Sequence, residues 1–190
     1  AKFMADSLTT HRRLDAQDIT NKVKRIAFEI IDRHPNGPLA FVGIHTRGVT
    51  FADRVLAEVN ANRSKLVERG TIDISLYRDD LDNIGTIPSI KGSDIPFDSD
   101  GANIILFDDV LYTGRTIRAA IDVLMDYGRP ARIELAVLVD RGHRELPIAA
   151  DYCGEVLETQ SADYVRVHLK ASDPNDEVLV HQKNETGDDA

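Results

Sequence analysis

The chain reads as an α/β protein, with a central, mainly parallel sheet flanked by helices. Three observations predict this. Ile104-Ile105-Leu106-Phe107 and the run 133–139 are apolar without alternation, as strands buried on both faces are. Helical-period stretches stand between and after such runs. Where strands and helices alternate in this way, the strands lie parallel and the helices cover the sheet.

The elements follow in order. Residues 1–14 lack periodicity and are expected to be a disordered lead-in. Asp15 is an expected N-cap with Asp18 in the first turn, and Ile19, Val23, Ile26, Ala27, Ile30 and Ile31 recur at helical spacing. Pro35-Asn36-Gly37-Pro38 ends that helix. Residues 39–44 form a short buried strand that delivers His45-Thr46-Arg47-Gly48 to its C-terminal end, where α/β folds place ligands. Val49, Ala52, Val55, Leu56 and Val59 mark one face of the next helix, over about 49–60. Ile72, Ile74 and Leu76 alternate with Asp73 and Ser75, which predicts a half-buried strand. Residues 78–101 are polar and irregular, the mark of a flexible lid loop. After the 104–107 strand, Ile117, Ala120, Ile121 and Leu124 define a helix that Gly128 and Pro130 terminate. Residues 164–169 and 177–181 read as strands joined by an Asp-Pro-Asn turn, and 184–190 as a disordered acidic tail.

Composition bounds the function. A chain of 190 residues with 42% hydrophobic and 29% charged residues suits one soluble domain, here expected over 15–183. No apolar run approaches the ~20 residues of a membrane span. The start lacks an apolar signal core, which predicts a cytoplasmic protein without membrane partners. The lone Cys153 excludes an internal disulfide and reads as a core filler. A net charge of −9 opposes non-specific binding to nucleic acid. There is no internal repeat, zinc spacing, P-loop or long heptad pattern.

Chemistry concentrates in Asp108-Asp109-Val110-Leu111-Tyr112-Thr113-Gly114-Arg115-Thr116. Two carboxylates end a buried strand, and a loop with one glycine and three hydroxyls leads into a helix. A helix N-terminus offers free N–H groups and partial positive charge to a phosphate. Thr113 and Thr116 add hydroxyls, and Gly114 lets the backbone approach the ligand. The carboxylates suit a ribose diol or a hydrated magnesium ion. Phosphate at one end and diol at the other describe a phosphorylated sugar. A surface turn capped by Asp and Thr is the plainer alternative, but a cap uses one side chain and leaves the acidic pair unexplained. Arg47 is a permanent fork of donors suited to phosphate, or else the partner of a surface ion pair.

This segment resembles the phosphoribosyl pyrophosphate (PRPP) loop of type I phosphoribosyltransferases. Gly43-Ile44-His45-Thr46-Arg47-Gly48, Asp73-Ile74-Ser75-Leu76-Tyr77-Arg78-Asp79-Asp80-Leu81 and Val139-Asp140-Arg141-Gly142-His143-Arg144-Glu145-Leu146-Pro147 narrow the likeness. Together with the PRPP loop they resemble the PyrR family, pyrimidine operon attenuators that also act as uracil phosphoribosyltransferases. The similarity spans roughly 15–180.

The resemblance implies the type I fold with a small hood at about 141–165, and the reaction of uracil and PRPP to UMP and pyrophosphate. It assigns Thr46, Arg47 and Gly48 to pyrophosphate and Arg78 to phosphate. Asp108 and Asp109 would hold the ribose hydroxyls, and magnesium mostly through water and PRPP. Val110, Leu111, Tyr112, Thr113, Gly114, Arg115 and Thr116 would cradle the 5′ phosphate. Val139, Asp140, Arg141 and His143 would bind uracil. Plainer roles stand beside these: Arg78 with Asp79 and Asp80 solvating a turn, His143 bonded to backbone, Asp140 orienting Arg141. Purine and orotate transferases are enzymatic rivals; the Asp140 to Leu146 hood favours uracil.

Family members also bind a messenger RNA hairpin under UMP or UTP control, through a basic dimer face. Here Lys22, Lys24, Arg25 and Arg33 are balanced by Asp15, Asp18, Glu29 and Asp32. Phe28, Ala149 and Glu155 stand where the family pattern leads one to expect a histidine and basic residues. The expectation is a transferase, at least dimeric, with RNA affinity weak or lost. The alternative is an RNA-binding attenuator with minor transferase activity.

Overall fold

The computed structural model describes residues 8–75 and 92–183. The order is β1 (Leu8–Leu14), α1 (Ala16–Arg33), β2 (Ala40–Ile44), α2 (Arg47–Asn62), β3 (Glu68–Ile72), β4 (Asn103–Leu111), α3 (Arg115–Asp126), β5 (Arg132–Asp140), β6 (Tyr152–Val156), β7 (Tyr164–His168) and β8 (Glu177–Lys183).

β3-β2-β4-β5-β6 form a five-stranded sheet, parallel at every pairing. Side chains alternate across it, so consecutive residues feed opposite cores. Phe41, Ile105, Phe107 and Leu138 meet α1 and α2 on one face, while Val42, Leu106 and Val137 meet α3 on the other. Phe107 centres the first core, with ring centroids 4.7 Å from Phe41 and 5.5 Å from Phe51. Asp15 caps α1 as expected, accepting the Asp18 N–H at 2.8 Å while the Asp18 carboxylate takes the Asp15 N–H at 3.0 Å. Among the described residues no helix is long and apolar enough to cross a membrane.

β1-β8-β7 form a separate antiparallel sheet. Residues 8–14 are therefore not a disordered lead-in. They pair with β8 in register, and Leu14 is buried in the core shared with α1, Val167, Val178 and Val180. Three further expectations change. The strand expected around 72–76 ends at Ile72, because β3 takes its register from β2 over 68–72. The hood is not continuous outside the main sheet: β6 joins β5 in parallel, and Tyr152 is fully buried. The lid expected at 78–101 falls partly, at 78–91, outside the described residues. Its described end is no flexible loop, since Asp94 bridges Thr71 and Ile95 and Phe97 pack against the α3-side core. The acidic tail lies outside the described residues as well.

Candidate active site

The C-terminal ends of β2, β3 and β4 converge on a cavity of about 240 Å³ lined by Ile44, His45, Asp73, Ile74, Ser75, Asp108, Asp109 and Thr116. Parallel strands bring their loops to one edge, and ligands bind there. Close backbone packing shapes this edge. A Cβ on Gly48 would stand 2.6 Å from the Phe107 carbonyl oxygen, and one on Gly43 would stand 2.6 Å from Val49 Cα. The start of α2 is thus pressed against β4, which brings Arg47 within electrostatic reach of Asp109. Gly48 serves this close approach.

Asp108 is buried and Asp109 half-buried. Asp108 accepts the Asp109 N–H at 2.9 Å, and Asp109 accepts the Val110 N–H at 2.9 Å. Burial, and then the charge of Asp109, push the Asp108 carboxyl well above the usual carboxylate range. A neighbouring cation, or a diol donating hydrogen bonds, would favour ionisation instead.

The loop after β4 turns at Gly114, whose φ of 93° is left-handed and open to glycine. α3 begins there without a side-chain cap and with no acid in its first turn, so its leading N–H groups can meet an anion. Thr113 accepts the Arg115 N–H at 3.3 Å, and the Thr113 carbonyl oxygen accepts N–H groups of Glu145 and Leu146 at 2.9 and 3.1 Å. The 141–148 segment therefore braces the loop. Arg144 adds bonds to the Tyr112 carbonyl at 2.8 Å, the Ile148 carbonyl at 2.8 Å and Asp140 at 2.7 Å.

The residues expected at uracil have the following protein partners. Asp140 orients Arg144 and accepts the Gly142 N–H at 2.9 Å, so it does not hold Arg141. Burial raises its carboxyl, but the Arg144 and Gly142 hydrogen bonds outweigh this and leave it below its ordinary value. Arg141 is buried, and its Nη groups donate to the carbonyls of Asp163 and Gln160 at 2.9 and 3.0 Å. Its guanidinium stacks 4.1 Å from the Tyr112 ring, and its buried Nε has no partner among the described residues. His143 Nε2 lies 2.7 Å from the Thr159 carbonyl oxygen, so the backbone-bonded alternative matches the geometry. Val139 is buried. Arg78 lies outside the described residues.

His45 lines the cavity at the end of β2, where the sequence places it, and Asp73 and Ser75 line it without having been assigned a role there. The signal was position: each follows the C-terminal end of a parallel strand. Reading Asp73 and Ser75 as the wet face of a longer strand concealed it.

Comparison with known proteins places the chain. The phosphoribosyl transferase domain family matches residues 12–170. The bifunctional protein PyrR of Elusimicrobium minutum is 48% identical over 171 residues, covering 90% of this chain and 96% of that one. That of Bacillus cereus is 49% identical over 173 residues, covering 90% and 96%. Among solved structures, a hypoxanthine phosphoribosyltransferase of Trypanosoma cruzi superposes with a TM-score of 0.70 at 18% identity, covering 90% of this chain and 94% of that one. One from Staphylococcus aureus superposes with a TM-score of 0.65 at 20% identity, covering 82% and 80%. The likeness in structure carries the fold, while the family match and the relatives' identity over nearly their whole length carry the membership: the chain belongs to the phosphoribosyltransferase family and, within it, to the bifunctional PyrR proteins.

Proposed function

We propose that the protein transfers the phosphoribosyl group of PRPP to uracil, giving UMP and pyrophosphate. The observation that carries this reading is the cavity where Asp108, Asp109 and Thr116 meet the loop before Arg47 at one sheet edge. In the transfer, the ribose C1′–oxygen bond breaks, pyrophosphate departs with the electron pair, and uracil N1 bonds to C1′ and loses its proton. Positive charge builds on the ribose while negative charge leaves, so positioning and electrostatics dominate. Asp109 and Asp108 hold the ribose hydroxyls and face the growing positive charge. The α3 N-terminus, Thr113 and Thr116 hold the 5′ phosphate. Arg47 meets the departing pyrophosphate, joined by Arg78. Arg141 is buried beside the Tyr112 ring with an unpartnered Nε–H, a donor that would meet a base carbonyl only where the guanidinium shifts on binding.

Hard carboxylate oxygens suit magnesium, and no group of three or more acidic, His or Cys side chains among the described residues is arranged to hold a metal unaided. Asp108 and Asp109 would therefore hold it mostly through water and PRPP oxygens. When bound, it neutralises charge on the leaving pyrophosphate.

The test offers labelled PRPP with uracil, hypoxanthine, adenine or orotate in turn. Uracil is expected to be the base converted. Asp109→Asn and Arg47→Ala should each lower turnover about 10²-fold or more with unchanged circular dichroism. Wild-type rates in both folded variants would remove those roles.

A second reading adds binding of a hairpin RNA under UMP or UTP control, because the relatives are named bifunctional. In this chain Lys22 is paired with Glu155 at 2.7 Å and Arg25 with Glu29 at 2.6 Å, which supports a weakened RNA affinity.

A further inference from the structure

The turn between β7 and β8 lies against α2 through two forks spaced seven residues apart on that helix. Arg54 donates to both oxygens of Asp176 at 2.9 and 2.7 Å, and to the Lys170 carbonyl at 3.0 Å. The Lys170 N–H donates to Asp176 at 2.6 Å. This fork anchors the turn. The other fork is on a residue of the site and is side-on, where that of Arg54 is end-on. Arg47 donates from Nε to Asp173 Oδ2 at 3.0 Å and from Nη2 to Oδ1 at 2.9 Å.

Asp173 is itself fixed. Its Oδ2 accepts the Leu169 N–H at 2.8 Å, and its own N–H donates to the Leu169 carbonyl at 3.0 Å. Its side chain is only 11% exposed, against 37% for Arg47. The turn passes through Ala171 at φ 113°, a left-handed value that a residue with a Cβ adopts only when its surroundings impose it. A carboxylate held this firmly sets the plane of the guanidinium it grips. The side-on grip uses Nε and Nη2 and, among the described residues, leaves both N–H groups of Nη1 for another acceptor. Those groups belong to an arginine whose nearby charges include Asp109, which lines the cavity.

We propose that Asp173 is a positioning residue: it holds the Arg47 guanidinium so that Nη1 meets the pyrophosphate end of PRPP. This rests on the reading of Arg47 as a pyrophosphate ligand. A loose arginine would have to be ordered at each binding event, whereas a gripped one is already in place.

The test compares Asp173→Asn and Asp173→Ala with Asp176→Asn, which breaks the anchoring fork without touching Arg47. Initial rates give KM for PRPP and for uracil, calorimetry gives the affinity for magnesium pyrophosphate, and thermal melts report the fold. The Asp173 variants are expected to raise KM for PRPP about ten- to hundredfold and to weaken pyrophosphate binding in parallel. KM for uracil should stay near wild type, and the melting temperature should fall by no more than in Asp176→Asn, since each carboxylate holds one arginine and one backbone N–H of the turn. Asp176→Asn is expected to lower the melting temperature and leave KM for PRPP near wild type. An unchanged or lowered KM for PRPP in both folded Asp173 variants overturns the inference, the lowered value meaning that Asp173 competes with pyrophosphate. Equal effects of Asp173→Asn and Asp176→Asn on KM for PRPP overturn it too. Absence of transfer to any base by the wild type overturns the underlying reading of the site instead.

Discussion

Asp108 pairs its place in the site with a burial that works against the fold. It is 7% exposed at the end of an apolar strand with a second carboxylate beside it, and burial and that neighbour raise its carboxyl well above the ordinary range. An acid whose folded-state pKa is raised stabilises the fold in its protonated form. That contribution is complete below the ordinary carboxylate pKa and is lost as pH rises through the raised folded value. At pH 8 the wild type therefore carries a cost that a neutral isostere escapes. Asp108→Asn is expected to be more stable than wild type by on the order of 1–3 kcal/mol at pH 8, with the gain vanishing near pH 3.5, while turnover falls. Urea unfolding at both pH values checks this, and equal stabilities at pH 8 would remove the argument. Asp108 and Asp109 were legible in the sequence because two acids ending an apolar run have no structural use. The orientation of Arg141 was not. Its donors go to the carbonyls of Gln160 and Asp163, brought near by a loop that no periodicity describes. Asp173 was hidden likewise: an Asp-Pro-Asn triplet reads as a turn, and its grip on Arg47 spans 126 residues of chain.

Elements whose apolar residues follow one period could be read directly. α1, α2, α3, β2, β4 and β5 were, because each buries one helical stripe or a continuous strand. β6 escaped because Tyr-Cys-Gly-Glu-Val is short and mixed. It is a strand because the β5 edge offers a parallel ladder and Tyr152 fills the space beneath α1. β1 escaped for a similar reason: His11, Arg12 and Arg13 look like a solvated arm, yet their backbone completes a sheet with β8. Tertiary pairing outweighs weak strand propensity in both. Leu14 then anchors β1 in the core at 5% exposure. Leu14→Ala is expected to cost about 2–5 kcal/mol, read as a lowered urea midpoint at unchanged slope. A change within a few tenths of a kcal/mol would mean that β1 contributes nothing to the fold.

Across the whole molecule, charge separates the two proposed activities. The transferase site needs local cations such as Arg47, whereas RNA needs a broad field of free ones. Here 32 acidic residues outweigh 23 Lys and Arg, for a net charge of −9. α1 and the β6 edge face each other, and two of the cations of α1 are held there. Lys22 meets Glu155 at 2.7 Å, and Arg25 meets Glu29 at 2.6 Å and the carbonyls of Cys153 and Gly154 at 3.0 and 2.6 Å. A phosphate would have to displace these partners before gaining anything. Hairpin RNA in mobility-shift titrations with UMP or UTP is therefore expected to bind no tighter than the non-specific range of about 10⁻⁴–10⁻⁶ M at physiological salt. Glu155→Gln frees Lys22. It should tighten binding and steepen the dependence of log affinity on log salt by about one phosphate's worth, with transferase rates unchanged. Nanomolar, uridine-nucleotide-dependent binding by the wild type would show that another face of the molecule supplies the cations.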